Sequence, residues 1–288
     1  MSAQPGGYYF APPSKWPVFG STALFFMASG GVMAMNSIQP YGWISLALGF
    51  GILLYMLFGW FGQVIGENER GMFNGQVDVS FRWSMSWFIF SEVMFFAAFF
   101  GALFYARIYS VPWLADIDNS LLWEGYKAHW PTAGPYLDAN PAYQFTPMAA
   151  WGLPALNTFL LLTSGVTVTW AHHALLANKR AQLIAGLFAT VLLGVTFLGV
   201  QIYEYSHAYT HMNLKLTSGV FGSTFFMLTG FHGFHVTLGA IMLTVILIRS
   251  IKGHFTKEHH FAFEAVAWYW HFVDVVWLGL FIFVYWLV

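Results

Sequence analysis

Seven stretches of this chain stay apolar for about twenty residues or more, at about 16–36, 42–66, 83–107, 150–176, 181–203, 219–248 and 261–288. A hydrocarbon layer about 30 Å thick takes roughly 20 helical residues to cross. Inside lipid every backbone N–H and C=O needs a partner within the protein, which a helix supplies from its own segment. The expectation is therefore an all-α integral membrane bundle of seven transmembrane helices, read as a single domain over 1–288. Composition agrees: only 8% of residues are charged and 58% are hydrophobic, against about 25% charged in an ordinary soluble domain. With 11 Lys and Arg against 12 Asp and Glu, no basic patch for nucleic acid is expected. The absence of cysteine excludes disulfides, thiolate metal sites and a cysteine nucleophile, so any metal would need His and carboxylate ligands.

The polar, Gly- and Pro-containing stretch before Trp16 lacks the short apolar core and small-residue cleavage site of a signal peptide, and the first apolar run is read as a retained helix. Pro40 with Gly42 breaks the first two spans, and Asn178-Lys179-Arg180-Ala181 turns the fourth into the fifth as an antiparallel hairpin. The one long connection, 108–149, is rich in proline and carries Asp116, Asp118, Glu124 and Asp138, and is read as a folded extramembrane loop. No internal repeat is visible, which speaks against a repeat-built transporter. If the N-terminus is cytoplasmic, the inner side holds Lys15, Arg70, Arg82, Lys179, Arg180, Arg249, Lys252 and Lys257, and the outer side only Arg107, Lys127 and Lys215. The positive-inside rule then sets the N-terminus cytoplasmic and the C-terminus periplasmic.

Ionisable residues inside the spans carry the most information, because a charge at mid-bilayer costs about 2.5–3.5 kcal/mol even on lenient scales. Glu92 falls near the middle of the third span, His232 and His235 near the middle of the sixth, and His271 and Asp274 near the middle of the seventh. They form a candidate polar layer at one depth, in which His271 and Asp274, three apart, share a helix face. Three readings compete: an inter-helix hydrogen-bond network that orients the bundle, a proton relay, and a metal or haem site built from the His-x-x-His and His-x-x-Asp pairs. The last lacks the Glu-x-x-His pairs of dimetal bundles. His172 and His173 at the end of the fourth span, and His259 and His260 at the start of the seventh, read as interfacial caps, and Glu264 lies close enough to the interface to reach water. The 14 Trp and 14 Tyr read first as an aromatic belt.

Four segments together resemble a known family: Phe90-Ser91-Glu92-Val93-Met94-Phe95-Phe96; Trp170-Ala171-His172-His173; Gly222-Ser223-Thr224-Phe225-Phe226 through Gly230-Phe231-His232-Gly233-Phe234-His235-Val236; and His259-His260-Phe261-Ala262-Phe263-Glu264-Ala265 through Trp268-Tyr269-Trp270-His271-Phe272-Val273-Asp274-Val275-Val276-Trp277. In order, over nearly the whole chain, they resemble subunit III of the haem-copper cytochrome c oxidases.

That resemblance implies an accessory subunit, with no haem, copper or catalytic centre of its own, of a proton-pumping terminal oxidase that reduces dioxygen to water. The redox centres would lie in the catalytic subunit I and the copper-bearing subunit II. This subunit would keep proton uptake fast, protect the complex during turnover, and hold phospholipid in a cleft between the first two helices and the other five. Glu92 matches the family's carbodiimide-reactive carboxyl, and Trp60, Glu67 and Arg249 match positions of lipid head-group contact. An Arg at a helix end suits a phosphate. After Trp60 the chain reads Phe61-Gly62-Gln63-Val64-Ile65-Gly66-Glu67, without the charges of the mitochondrial Trp-Trp-Arg-Asp-Val-Ile-Arg-Glu. The loop 108–149 is read as longer than in mitochondrial relatives, which points to a bacterial inner membrane. Two alternatives remain at this stage, a quinol oxidase subunit and a stand-alone proton-coupled transporter.

Overall fold

The computed structural model describes Tyr9, residues 13–119 and residues 121–288; most of the polar stretch ahead of the first helix lies outside these. Among the described residues there is no β-strand, and seven helices are long and apolar enough to cross a membrane. They are α1 (Trp16–Met35), α2 (Tyr41–Glu69), α3 (Gly75–Tyr105), α4 (Leu153–Leu176), α5 (Arg180–His211), α6 (Gly219–Lys252) and α7 (Phe261–Leu280), the last continued by a π-helical turn, Phe281–Trp286.

Three helices outrun their apolar cores. α3 begins eight residues ahead of the expected 83, because Asn74 Oδ1 accepts from the Val77 N–H at 3.0 Å and Arg82 pairs with Asp78 one turn earlier at 2.7 Å. α5 runs to His211 instead of 203, carrying Gln201 and Glu204 inside it. α6 runs to Lys252, where Gly253 takes the left-handed conformation (φ 80°) that closes a helix C-terminus. Hydropathy marks the lipid-crossing part of a helix, whereas backbone hydrogen bonding and capping decide where the helix stops.

By internal contacts the chain divides into two compact units, up to Trp83 and from Ser84 onward. In the first, α1 and α2 pack along their length through small residues. A side chain at Gly49 would meet the Met27 backbone nitrogen at 2.7 Å, one at Gly30 the Leu46 nitrogen at 2.6 Å, and one at Gly42 the Ala34 nitrogen at 2.6 Å. Without a hydrophobic drive between helices in lipid, such close approach is a main source of attraction. Ser45 Oγ adds a hydrogen bond across the pair to the Phe26 carbonyl at 2.8 Å.

The second unit is built on a ring: α4 packs on α5, α5 on α6, α6 on α7, and α7 returns to α4. The α4–α5 turn is tight, with Asn178 left-handed (φ 56°) and the Lys179 N–H donating to the Ala174 carbonyl at 2.8 Å. Trp270 fills the ring's interior, fully buried; side chains at Gly194 on α5 and Gly239 on α6 would each meet its indole at 2.7 Å. Indole N–H groups of Trp270 and Trp277 donate to Ser164 and Thr158 of α4 at 2.8 and 2.9 Å. These satisfied polar rungs tie α7 to α4 inside the apolar core. The loop after α3 is folded, as expected. Thr132 and the Ala133 N–H bond the Asp138 carboxylate, Thr146 N–H donates to the Met212 carbonyl at 3.0 Å, and Phe145 stacks on Phe221 with centroids 5.4 Å apart.

Candidate functional site

The five expected intramembrane residues all lie in the second unit, on α3, α6 and α7, and resolve into three separate constellations in place of one connected layer. The tightest joins Glu92 of α3 to His235 of α6, with Oε2 to Nε2 at 2.8 Å. Phe96 meets the imidazole edge-on at 4.9 Å, and the Tyr269 ring lies nearly parallel to it at 6.4 Å. One helical turn back, the Phe231 carbonyl lies 2.6 Å from His235 Nδ1.

That last contact decides the proton count. A carbonyl only accepts, so Nδ1 carries a hydrogen and donates it. The Nε2 to Oε2 contact must then contain a second proton, held either by Glu92 as a carboxylic acid or by His235 as an imidazolium. In both forms the pair is net neutral, which is what a bilayer interior tolerates. His235 is almost fully buried, while the Glu92 side chain is 23% exposed. The arrangement can pass a proton along a hydrogen bond without creating net charge.

His232, on the neighbouring face of α6, gives its Nε2–H to the Val273 carbonyl of α7 at 3.1 Å and packs against Trp277 and Phe197. It makes no hydrogen bond or ion pair with Glu92 or Asp274. His271 and Asp274 do meet, as the i,i+3 spacing foretold, with Nδ1 to Oδ2 at 3.5 Å, and His271 Nε2 lies 3.3 Å from Thr169 Oγ1 of α4. Gly165 of α4 makes room for this carboxylate: a side chain there would collide with Asp274 Oδ2. Two i,i+3 pairs at one depth share an altitude, yet about 60° of helix rotation separates i from i+3. His232 and His235 accordingly engage different helices, α7 and α3.

Of the expected lipid-contact residues, Glu67 is buried in the first unit, where Gln63 Nε2 donates to its carboxylate at 2.8 Å and Gln63 Oε1 accepts from the Trp16 indole at 2.8 Å. Tyr9 lies close to Glu67; partial burial first and the carboxylate's charge second push its phenol above the ordinary value. Trp60, half exposed, stacks on Phe61 at 5.7 Å. Arg249, in the second unit, is 7% exposed, with its guanidinium 4.6 Å over the Phe255 ring.

Two features escaped the sequence reading. Glu204, placed beyond the fifth span, sits inside α5 fully buried and accepts from Tyr285 Oη at 2.7 Å. The signal was present: Leu187, Thr190, Gly194, Phe197, Gln201, Glu204 and Ala208 recur every three or four residues and are all buried. The second is a cluster of His172, His260 and Glu264, expected to be separate interfacial groups and brought together where α4 ends and α7 begins.

The family model for cytochrome c oxidase subunit III matches residues 6–288. The chain belongs to the cytochrome c oxidase subunit III family. Proteins named cytochrome c oxidase subunit 3 from Marchantia polymorpha and Chondrus crispus are each 42% identical, over 97% and 99% of this chain and 96% and 95% of their own lengths. The one from Papio hamadryas is 40% identical over 99% of both. Membership of this family, with seven apolar helices, makes the chain a multi-pass membrane protein. The bacterial qualifier of the sequence reading is not among these findings, since the relatives are plant, algal and animal.

Proposed function

We propose that the chain is the accessory third subunit of a terminal cytochrome c oxidase that reduces dioxygen to water and pumps protons, with haem and copper held by subunits I and II. The observation that carries this reading is the family match from residue 6 to 288, at near-equal identity to plant, algal and animal relatives. Near-constant identity across such different organisms also supports a chain branching outside them, in a bacterial inner membrane. The distribution of Lys and Arg supports a cytoplasmic N-terminus and an outer C-terminus.

Within this reading the second unit's polar groups have two roles. His232, Trp270 and Trp277 orient α7 in the ring. The Glu92–His235 pair, net neutral and partly reachable from outside the bundle, is the group suited to hold or pass a proton beside the catalytic partner, and so to support proton uptake and turnover stability. Both ring nitrogens of His235 are engaged, which supports a subunit without haem at that position. Phospholipid binding is the third element: Trp60, Glu67 and Arg249 are its candidate residues, and the long exposed faces of α1, α2 and α3, whose span windows are only 11% buried, support an apolar covering of lipid or partner helices.

A visible spectrum of the complex captured through this chain after gentle extraction tests the assignment. Dithionite should bring up reduced a-type haem bands in the complex and none in the isolated chain. A captured complex that oxidises quinol but not reduced cytochrome c would make the chain a quinol oxidase subunit. A haem-free capture would return the stand-alone transporter.

A further inference from the structure

The ligand-bearing atoms of His172, His260 and Glu264 lie within 4.8 Å of one another. His172 is on the last turn but one of α4, His260 directly precedes α7, and Glu264 is on the first turn of α7. Fold alone joins them, since 88 residues of sequence separate the two histidines. Glu264 Oε1 is 3.2 Å from His260 Nε2 and 3.7 Å from His172 Nε2, and the two imidazole centroids are 5.5 Å apart.

The state of His260 points to a cation. Its Nδ1 lies 3.1 Å from the Thr256 carbonyl and must donate to it, so a neutral ring presents a lone pair at Nε2. The side chain is only 9% exposed, and Nε2 faces the cluster with no hydrogen-bond partner among the described residues. A lone pair opposite a carboxylate oxygen at 3.2 Å repels unless something positive lies between them. The N–H donated to a backbone carbonyl is also the second-shell bond that orients a metal-binding imidazole. Two imidazoles and one carboxylate form the three-protein-ligand set that zinc accepts, with a fourth position left for water or another ligand.

We propose that His172, His260 and Glu264 bind a divalent transition-metal ion of the zinc class, clamping the end of α4 to the start of α7. The sequence reading expected no metal in this chain, and the inference rests on this cluster alone, independent of the oxidase assignment. A proton on His260 could satisfy the same geometry, so the experiment has to separate metal from proton.

The full chain, extracted gently with whatever partners accompany it and stripped with chelator, is titrated with Zn2+ by calorimetry, and its Co2+ form is examined for d–d absorption. His173 and His259, sequence neighbours of the cluster residues that are exposed, provide the controls. Wild type, His173→Gln and His259→Gln should bind one more Zn2+ than His260→Gln and Glu264→Gln, whose affinity at this site should fall by more than the roughly 10–100-fold typical of losing a second-shell partner. Equal stoichiometry and affinity in all five would overturn the proposal and leave a protonated ion pair. Should His260→Gln fail to fold, thermal unfolding of wild type and Glu264→Gln with and without Zn2+ decides. A rise in Tm with zinc in wild type alone supports the site, and the same response in both, or none in either, refutes it.

Discussion

The α1–α2 hairpin and the ring of α4 to α7 are both apolar helices packed in a lipid solvent, and they hold together by different means. The hairpin relies on glycines, with backbone against backbone at Gly30, Gly42 and Gly49. The ring relies on large side chains seated in slots, with Trp270 between Gly194 and Gly239 and indole N–H groups capped by Ser164 and Thr158. Burial follows the same division: the span windows of α1 and α2 are 11% buried, and that of α7 is 56%. Close backbone contact gives adhesion with little interior, although Glu67 is buried there beside Gln63. Side chains in slots create an interior, and only there are Glu204, His232 and Asp274 found buried. The buried histidines and the Glu92–His235 pair lie in the part whose packing encloses space.

The sharpest way to break that comparison is Trp270→Ala. It empties the ring's centre and leaves Ser164 without its donor, and large-to-small core changes of this size cost about 3–5 kcal/mol. Unfolding in mixed micelles should show that loss; a change under about 1 kcal/mol would mean that the slots do not hold the ring. Next in size, Gly49→Val forces a side chain onto the Met27 backbone, with an overpacking cost of about 1–3 kcal/mol. Gly51→Val, where the same side chain meets nothing within 4 Å, should be nearly neutral. Because the chain has no cysteine, an introduced pair across α1 and α2 reports the hairpin's closure by disulfide yield, and equal yields in the two variants would remove the glycine argument.

Smaller still is the effect of Glu92→Gln. The amide can donate to His235 Nε2 just as a carboxylic acid does, so stability should change by less than about 1 kcal/mol, the net worth of one hydrogen bond, and the chain should stay with its partners. Loss of the chain from the purified complex would show that the charged form matters. Glu92→Ala, which strands the imidazole, should cost about 1–3 kcal/mol. Arg249→Ala should lose the Phe255 contact, worth about 0.5–1 kcal/mol, and reduce the number of phospholipids retained in native mass spectrometry. Unchanged retention would remove Arg249 from the lipid site.

Much of this was legible from residues alone, and the exceptions have a common origin. The seven spans, the Asn178 hairpin turn and the folded loop after α3 follow from hydropathy, turn chemistry and proline content, all local properties. Helix ends did not follow, since α5 continues past Tyr203 through the buried Glu204, which hydropathy scores as polar, to His211. Among the candidate functional residues, the meeting of His271 with Asp274 was legible from their spacing, whereas the pairing of Glu92 with His235 and the turn of His232 to the Val273 carbonyl were not.

The sequence by itself determined that this chain has seven helices long and apolar enough to cross a membrane, and the family to which it belongs, because lipid imposes one rule on every segment and because motifs are read along the chain. Only the tertiary structure decided that Glu92 and His235 share a proton, that Glu204 is interior, and that His172, His260 and Glu264 converge. Those outcomes depend on the rotation of each helix about its axis and on which helix stands beside it, and both follow from contacts between residues far apart in the chain, such as the seating of Trp270 between Gly194 and Gly239 and the Trp277 hydrogen bond to Thr158.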